Sequence, residues 1–121
     1  MLSQDSFLNG RVTLFQPERG YRAAIDPVFL AACIPACPGE KVLEIGSGTG
    51  AASLCLAARV PKVEVIGLEL QLDLVDLATK SVELNTLSHT VSFLQGDLLS
   101  PPKCIGAFLF DHVMANPPHL N

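Results

Sequence analysis

Lys41-Val42-Leu43-Glu44-Ile45-Gly46-Ser47-Gly48-Thr49-Gly50 is the stretch that decides how this chain folds. Lys41 to Ile45 is a short β-type run, and it ends directly in three alternating glycines. Ala51 to Arg59, rich in Ala and Leu, reads as a helix closed by Pro61. Strand, glycine loop and helix in this order form a strand-to-helix unit. Glycines in such a loop allow positive φ and let the backbone approach a ligand closely. The helix N-terminus behind them offers unpaired N–H groups.

Reading outward confirms the pattern. Toward the C-terminus, Val63 to Leu68 is a second strand, and Gln71 to Asn85 is the clearest helix. Leu74, Val75, Ala78 and Val82 lie on one stripe of that helix, with Asp73, Asp76, Lys80 and Glu83 elsewhere. Val91 to Leu94 is a third strand, Ser100 to Lys103 a turn or loop, and Ala107 to Ala115 a fourth strand. Toward the N-terminus, Asp26 is placed to cap a helix running from Pro27 to Ile34. Gln16 to Arg22 is a polar loop, and Val12 with Leu14 marks a short strand after the type I′ turn signal Asn9-Gly10. Strand and helix alternate after residue 40, which calls for an α/β, Rossmann-like fold: a parallel sheet with helices on both faces. Ligands of such sheets bind at the carboxyl ends of the strands.

Composition bounds the function. The chain has 121 residues, 49% of them hydrophobic and 17% charged, enough for one globular domain and unlike a disordered segment. The expected organisation is a lid segment over residues 1–39 and a core over 40–121. The net charge of −4 is not that of a protein that clamps nucleic acid mainly by neutralising phosphates. No run approaches the roughly 20 apolar residues of a membrane span. The N-terminus has no basic residue before an apolar block, so the expectation is a cytoplasmic protein without a membrane partner. Cys33 and Cys37 are four apart in an apolar helical pattern, and Cys55 and Cys104 stand alone. That spacing supplies no second ligand pair for zinc, so no metal is expected; four small buried thiols are.

The candidate site residues sit at strand ends. The loop residues Gly46, Ser47, Gly48 and Gly50 form a ligand cradle, although Gly46-x-Gly48-x-x-Ala51 also satisfies a loose dinucleotide fingerprint. Glu69 lies 23 positions after Gly46, where a carboxylate accepts hydrogen bonds from ribose hydroxyls. Both nicotinamide dinucleotides and S-adenosylmethionine share that need. Glu44 is an acid inside an apolar strand and is costly to bury without partners. A cationic ligand would suit it and a pyrophosphate would not, which favours S-adenosylmethionine; an acid turned to solvent is the plainer alternative. Asp97, in Gln95-Gly96-Asp97, either accepts from an adenine amino group or simply closes a turn. Asn116-Pro117-Pro118-His119 ends the fourth strand in a rigid corner. The Asn116 side-chain carbonyl and the Pro117 carbonyl can together accept both hydrogens of a planar –NH2 group, and His119 can stack on a ring. A Pro-Pro turn with a capping Asn explains the same residues.

With these elements in this order, the chain resembles the class I S-adenosylmethionine-dependent methyltransferases. Val42 to Gly50 looks like their cofactor motif, and Asn116 to His119 looks like the motif of those that methylate exocyclic amines or glutamine amides. Phe15 to Arg22, followed by Asp26-Pro27-Val28-Phe29-Leu30, is similar to the start of the bacterial tRNA1(Val) adenine-N6 methyltransferases. The resemblance implies methyl transfer to adenine N6 in tRNA, with Asn116, Pro117, Pro118 and His119 as the catalytic corner. It also implies that Gln16, Tyr21, Arg22 and Asp26 close over the methionine part of the cofactor. Alternatives are a protein glutamine N5-methyltransferase, a non-catalytic cofactor-binding fragment and a nucleotide-dependent oxidoreductase. The corner usually ends in Tyr or Phe where this chain has His119. Members of the family carry more strands, so the resemblance implies a fold truncated after about the fourth strand. The exposed sheet edge this leaves is prone to self-association.

Overall fold

The computed structural model describes residues 2–7, 11–17, 25–106 and 109–115. Strands β1 (Leu2–Phe7) and β2 (Val12–Pro17) precede helix α1 (Ile25–Cys33). Then come β3 (Lys41–Ile45), α2 (Ala51–Arg59), β4 (Glu64–Glu69), α3 (Leu72–Leu84), β5 (Val91–Gln95), the single turn α4 (Lys103–Gly106) and β6 (His112–Ala115).

The core is a four-stranded parallel sheet in the order β5-β4-β3-β6. The chain steps outward from β3 to β4 to β5, then returns to the other side of β3. The order therefore reverses at β3, and a cleft lies at the carboxyl ends of β3, β4 and β5. Alternation along the strands sorts the two faces. Val42, Val65, Val91, Phe93 and Met114 face α1, α2 and α3 and form the larger core with Leu54, Leu56, Val75 and Ala78. Leu43 and Leu68 face the other way and meet Ile105 of α4, with Ile45, Ile66, Leu94 and Phe110 half-buried around them. Helices thus lie on both faces, but unequally: three cover one face and a single turn covers the other among the described residues.

Glycine makes the first face close-packed. Phe93 lies across Gly67 and Gly50. A Cβ on Gly50 would come within 2.6 Å of the Phe93 ring, and one on Gly67 would meet that ring and come 2.8 Å from Ser47 Cβ. Gly50 also has φ +89, which a side chain would strain.

β1 and β2 form an antiparallel hairpin that packs on α2 and α3. The sequence reading found only the second of these strands; the Asn9-Gly10 turn falls outside the described residues. The free edge of β2 is paired by side chains rather than by a third strand. Asn85 Oδ1 accepts from Thr13 N–H at 2.8 Å, Asn85 Nδ2 donates to the Thr13 carbonyl, and Ser81 Oγ accepts from Phe15 N–H at 2.9 Å. Helix α1 ends against α2, where Arg59 donates to the carbonyls of Ala31 and Ile34. These carbonyls have lost their helical partners, and Arg59 takes the place of the missing N–H groups.

Three sequence expectations shift. α1 begins at Ile25, so Asp26 and Pro27 lie inside its first turn, where a missing N–H costs nothing. The fourth parallel strand begins at His112, not at residue 107, because Asp111 terminates it. Its carboxylate accepts from Lys41 N–H and its own N–H donates to the Lys41 carbonyl, both at 2.8 Å. The cysteines are not uniformly buried: Cys55 is, but Cys33 and Cys37 are exposed, and Cys37 lies beyond the end of α1.

Asn85→Ala strands the Thr13 N–H in a partly buried contact, so a loss of about 1–3 kcal/mol is expected from urea denaturation. Protease cleavage near the hairpin should rise in parallel, and an unchanged midpoint would show that the hairpin is not docked this way.

Candidate functional site

The cleft at the strand ends has a volume of about 190 Å³ and is lined by Ile45, Gly46, Glu69, Leu70, Gly96 and Asp97, with Leu68 and Leu98. A second cavity of about 210 Å³ lies by the opposite ends of β3 to β5, lined by Lys41, Glu64, His89 and Phe110 among others, and contains none of the expected site residues.

The glycine loop turns through three positive φ angles, +69 at Gly46, +57 at Gly48 and +89 at Gly50. Its donors are used inside the protein. Gly46 and Ser47 N–H donate to the Leu68 carbonyl at 2.8 and 3.2 Å, and Gly50 N–H donates to the Ser47 carbonyl at 2.9 Å. Gly48 N–H donates to Glu69 Oε1 at 2.7 Å. Glu69 Oε2 accepts from Gln71 N–H at 2.9 Å, at the start of α3. Glu69 is buried but lines the cleft. Each of its oxygens has a further lone pair, so the carboxylate can still accept from a ligand's hydroxyls.

Gly46 is exposed, and a Cβ there would meet nothing within 4 Å. A ligand can therefore lie directly on this backbone. Ser47 Oγ and Thr49 Oγ1 are buried without a hydrogen-bond partner among the described residues. Asp97 closes the turn, its Oδ1 accepting from Leu99 N–H at 3.0 Å, and the residue also lines the cleft.

Glu44 is 2% exposed, so it does not turn to solvent. Its partner is one the sequence reading missed: Ser53 Oγ of α2 donates to Glu44 Oε1 at 2.7 Å. The available signal was a lone serine inside an Ala- and Leu-rich helix. Burial pushes the Glu44 carboxyl from its ordinary 4.5 up to about 8; Ser53 pulls it down, and the Glu69 charge adds to the rise. Burial thus favours the protonated form of Glu44 over the anion. Burial, with a contribution from Glu44, raises the Cys55 thiol to about 11.

Gln16 is placed in the hairpin, buried, with Nε2 donating to Asp5 Oδ2 at 2.7 Å. Asp26 lies in α1. Tyr21, Arg22, Asn116, Pro117, Pro118 and His119 lie outside the described residues. The register Ile45↔Ala115 does put the end of β6 beside the start of the glycine loop. Among the described residues there is no group of three or more His, Cys, Asp or Glu able to hold a metal, and no helix is long and apolar enough to cross a membrane.

Residues 24–121 match the family described as methyltransferase small domain. The chain is 30% identical over 105 residues to a tRNA1(Val) (adenine(37)-N6)-methyltransferase of Vibrio campbellii, covering 86% of this chain and 42% of that protein. It is 34% identical over 82 residues to a release factor glutamine methyltransferase of Aliivibrio fischeri, covering 68% and 28%. Among solved structures, TrmN from Thermus thermophilus superposes with a TM-score of 0.63 at 28% identity, covering 77% of this chain and 27% of that one. The chain therefore spans less than half the length of these curated relatives.

The buried Glu44 predicts a stability profile. The folded chain keeps a proton that the unfolded chain gives up above its ordinary 4.5, so stability should fall as pH rises from there to about 8, then level. Thermal melts of Glu44→Gln should lose that slope. A slope unchanged in the variant would place its origin elsewhere.

Proposed function

Because the chain belongs to the methyltransferase small domain family, we propose that its cleft binds S-adenosylmethionine and that it methylates an exocyclic amino group, adenine N6 in tRNA. The observation that carries the reading is the way Glu69 closes the glycine loop. Gly46, Ser47, Gly48 and Gly50 all spend their N–H groups on the protein, and Gly48 spends its own on a carboxylate. A pyrophosphate needs those donors free and is repelled by that charge. A nucleoside with a cationic tail needs neither donor and gains from the acid. With the family match over residues 24–121, this favours the methyltransferase reading over the oxidoreductase one.

The described residues fit the nucleoside part of such a cofactor. Glu69 would accept from the ribose hydroxyls, Gly46 would pass beneath with its open face, and Asp97 would accept from the adenine amino group. The partnerless hydroxyls of Ser47 and Thr49 are further polar groups of the loop. When bound, the cofactor supplies an electrophilic methyl on its sulfonium.

The acceptor side follows from position in the chain. Asn116-Pro117-Pro118-His119 comes directly after β6, whose end adjoins β3. An exocyclic amine is a weak nucleophile because its lone pair is shared with the ring. The Asn116 side-chain carbonyl and the Pro117 carbonyl would hold its two N–H groups and turn the lone pair toward the methyl, with Pro118 stiffening the corner and His119 stacking on the base. Positioning supplies most of the acceleration. No strong base is required, since the nitrogen becomes acidic once alkylated. A base within structured RNA must first be presented unstacked. Tyr21, Arg22 and Asp26 would close over the methionine end. The relative named for glutamine methylation acts on a group with the same planar –NH2, so a glutamine amide is the second acceptor to test.

Calorimetric titration with S-adenosylhomocysteine should give a dissociation constant on the order of micromolar. Glu69→Gln should weaken it by at least about tenfold, the equivalent of one good hydrogen bond. A folded chain that gives no binding heat would sink the reading. With labelled cofactor, methyl transfer should go to bulk tRNA rather than to protein. Asn116→Ala should reduce it roughly a hundredfold.

A further inference from the structure

The cleft carries an acid at each of two neighbouring strand ends, Glu69 closing β4 and Asp97 following β5. The backbone ladder between these strands runs out there. Its last register pair is Glu69↔Gln95, and Gly96 N–H donates to the Glu69 carbonyl at 3.0 Å. One side chain carries the pairing a residue further: Gln95 Nε2 donates to the Leu70 carbonyl at 3.2 Å. Beyond β5, the Asp97 turn closes on itself, with Ser100 N–H donating to the Asp97 carbonyl at 3.0 Å. A closed turn can still swing on the strand that bears it, and Pro102 stands against that swing. A Cβ on Gly96 would come within 2.7 Å of Pro102 Cδ and 2.9 Å of Leu68 Cδ1, so the proline ring rests on the Gly96 backbone itself. That ring cannot turn away as a longer side chain would. Pro102 is held in turn from α4: its carbonyl accepts from Ile105 N–H at 3.0 Å, and Ile105 is buried with Leu43 and Leu68.

We propose that Gln95 and Pro102 are positioning residues for ligand specificity: they clamp the Asp97 turn to the end of β4 and so fix the span between Glu69 and Asp97. Neither residue lines the cleft, so both act through the acids that do. Their role rests on the cofactor reading above and deepens it. A ligand that donates from its ribose hydroxyls and from its base amino group engages both acids at once. Hydrogen bonds weaken steeply when the acceptor shifts or tilts, so that double engagement depends on a fixed span. Rejection depends on it more. A nucleoside with a carbonyl in place of the amino group sets an acceptor against the Asp97 carboxylate. It is excluded only while that carboxylate cannot move away. The single turn α4 thereby has a use at the cleft besides covering Leu43 and Leu68.

The test is calorimetric titration of the chain with S-adenosylhomocysteine and with S-inosylhomocysteine, its counterpart with a carbonyl in place of the base amino group. The unaltered chain should prefer the first by about tenfold to a hundredfold. Gln95→Met keeps the length of the side chain and removes its donor. Pro102→Gly removes the ring from Gly96 and frees the turn. Gln95→Met should shrink the affinity ratio about threefold and Pro102→Gly about tenfold, with the inosine form gaining on the adenosine form. Loss of fold alone would weaken both ligands together and leave the ratio unchanged, and urea denaturation reports it separately. Gln95 is exposed, so its variant decides the matter if Pro102→Gly does not fold. A ratio that neither variant changes would overturn the inference. So would equal binding of both ligands by the unaltered chain, which would leave the cofactor site standing. Failure of a folded chain to bind S-adenosylhomocysteine would overturn the cofactor reading, and the clamp with it.

Discussion

One carboxylate holds the site together. Glu69 ends β4, yet its two oxygens reach the glycine loop after β3 and the first residues of α3. Three elements from separate parts of the chain meet on that side chain. The charge matters as much as the reach, because a carboxylate accepts backbone N–H groups more strongly than a neutral oxygen does. These bonds take up the Gly48 N–H and set an acidic lip on the cleft.

Close packing beneath the loop depends on what is missing from it. Phe93 fills the space that side chains at Gly50 and Gly67 would occupy, which brings the loop down onto the sheet. Glu44 is trapped in that packing. An acid so buried keeps its proton unless something pays for the charge, and Ser53 alone does not. The hairpin shows the same economy at the opposite end of α3. Ser81 and Asn85 imitate a strand edge, so a two-stranded ribbon that would be marginal alone gains a partner.

Much of this was legible in the sequence. The run Lys41–Ile45, the helix Ala51–Arg59 and the stripe of Leu74, Val75, Ala78 and Val82 all lie where periodicity and the glycine punctuation put them. Glu69 and Asp97 were placed correctly at the cleft because strand ends are read from local pattern. The expected first residue of β6 was wrong because Asp111 spends its polar groups on Lys41, a contact 70 residues away. The first strand of the hairpin carries an unbroken polar run, Ser3 to Ser6, with no alternation to mark it as a strand without its partner.

The sequence by itself determined the alternation of strand and helix, the parallel sheet and the identity of the loop. Each of those is written in spacings of a few residues, where hydrophobic period and backbone freedom act directly. Only the tertiary structure decided that the N–H groups of Gly46, Ser47, Gly48 and Gly50 turn inward, that the Glu44 carboxyl is buried and pushed up, and that Ser53 is its partner. Hydrogen-bond partners and the cost of a buried charge depend on which distant groups come within a few ångströms, and folding alone sets that.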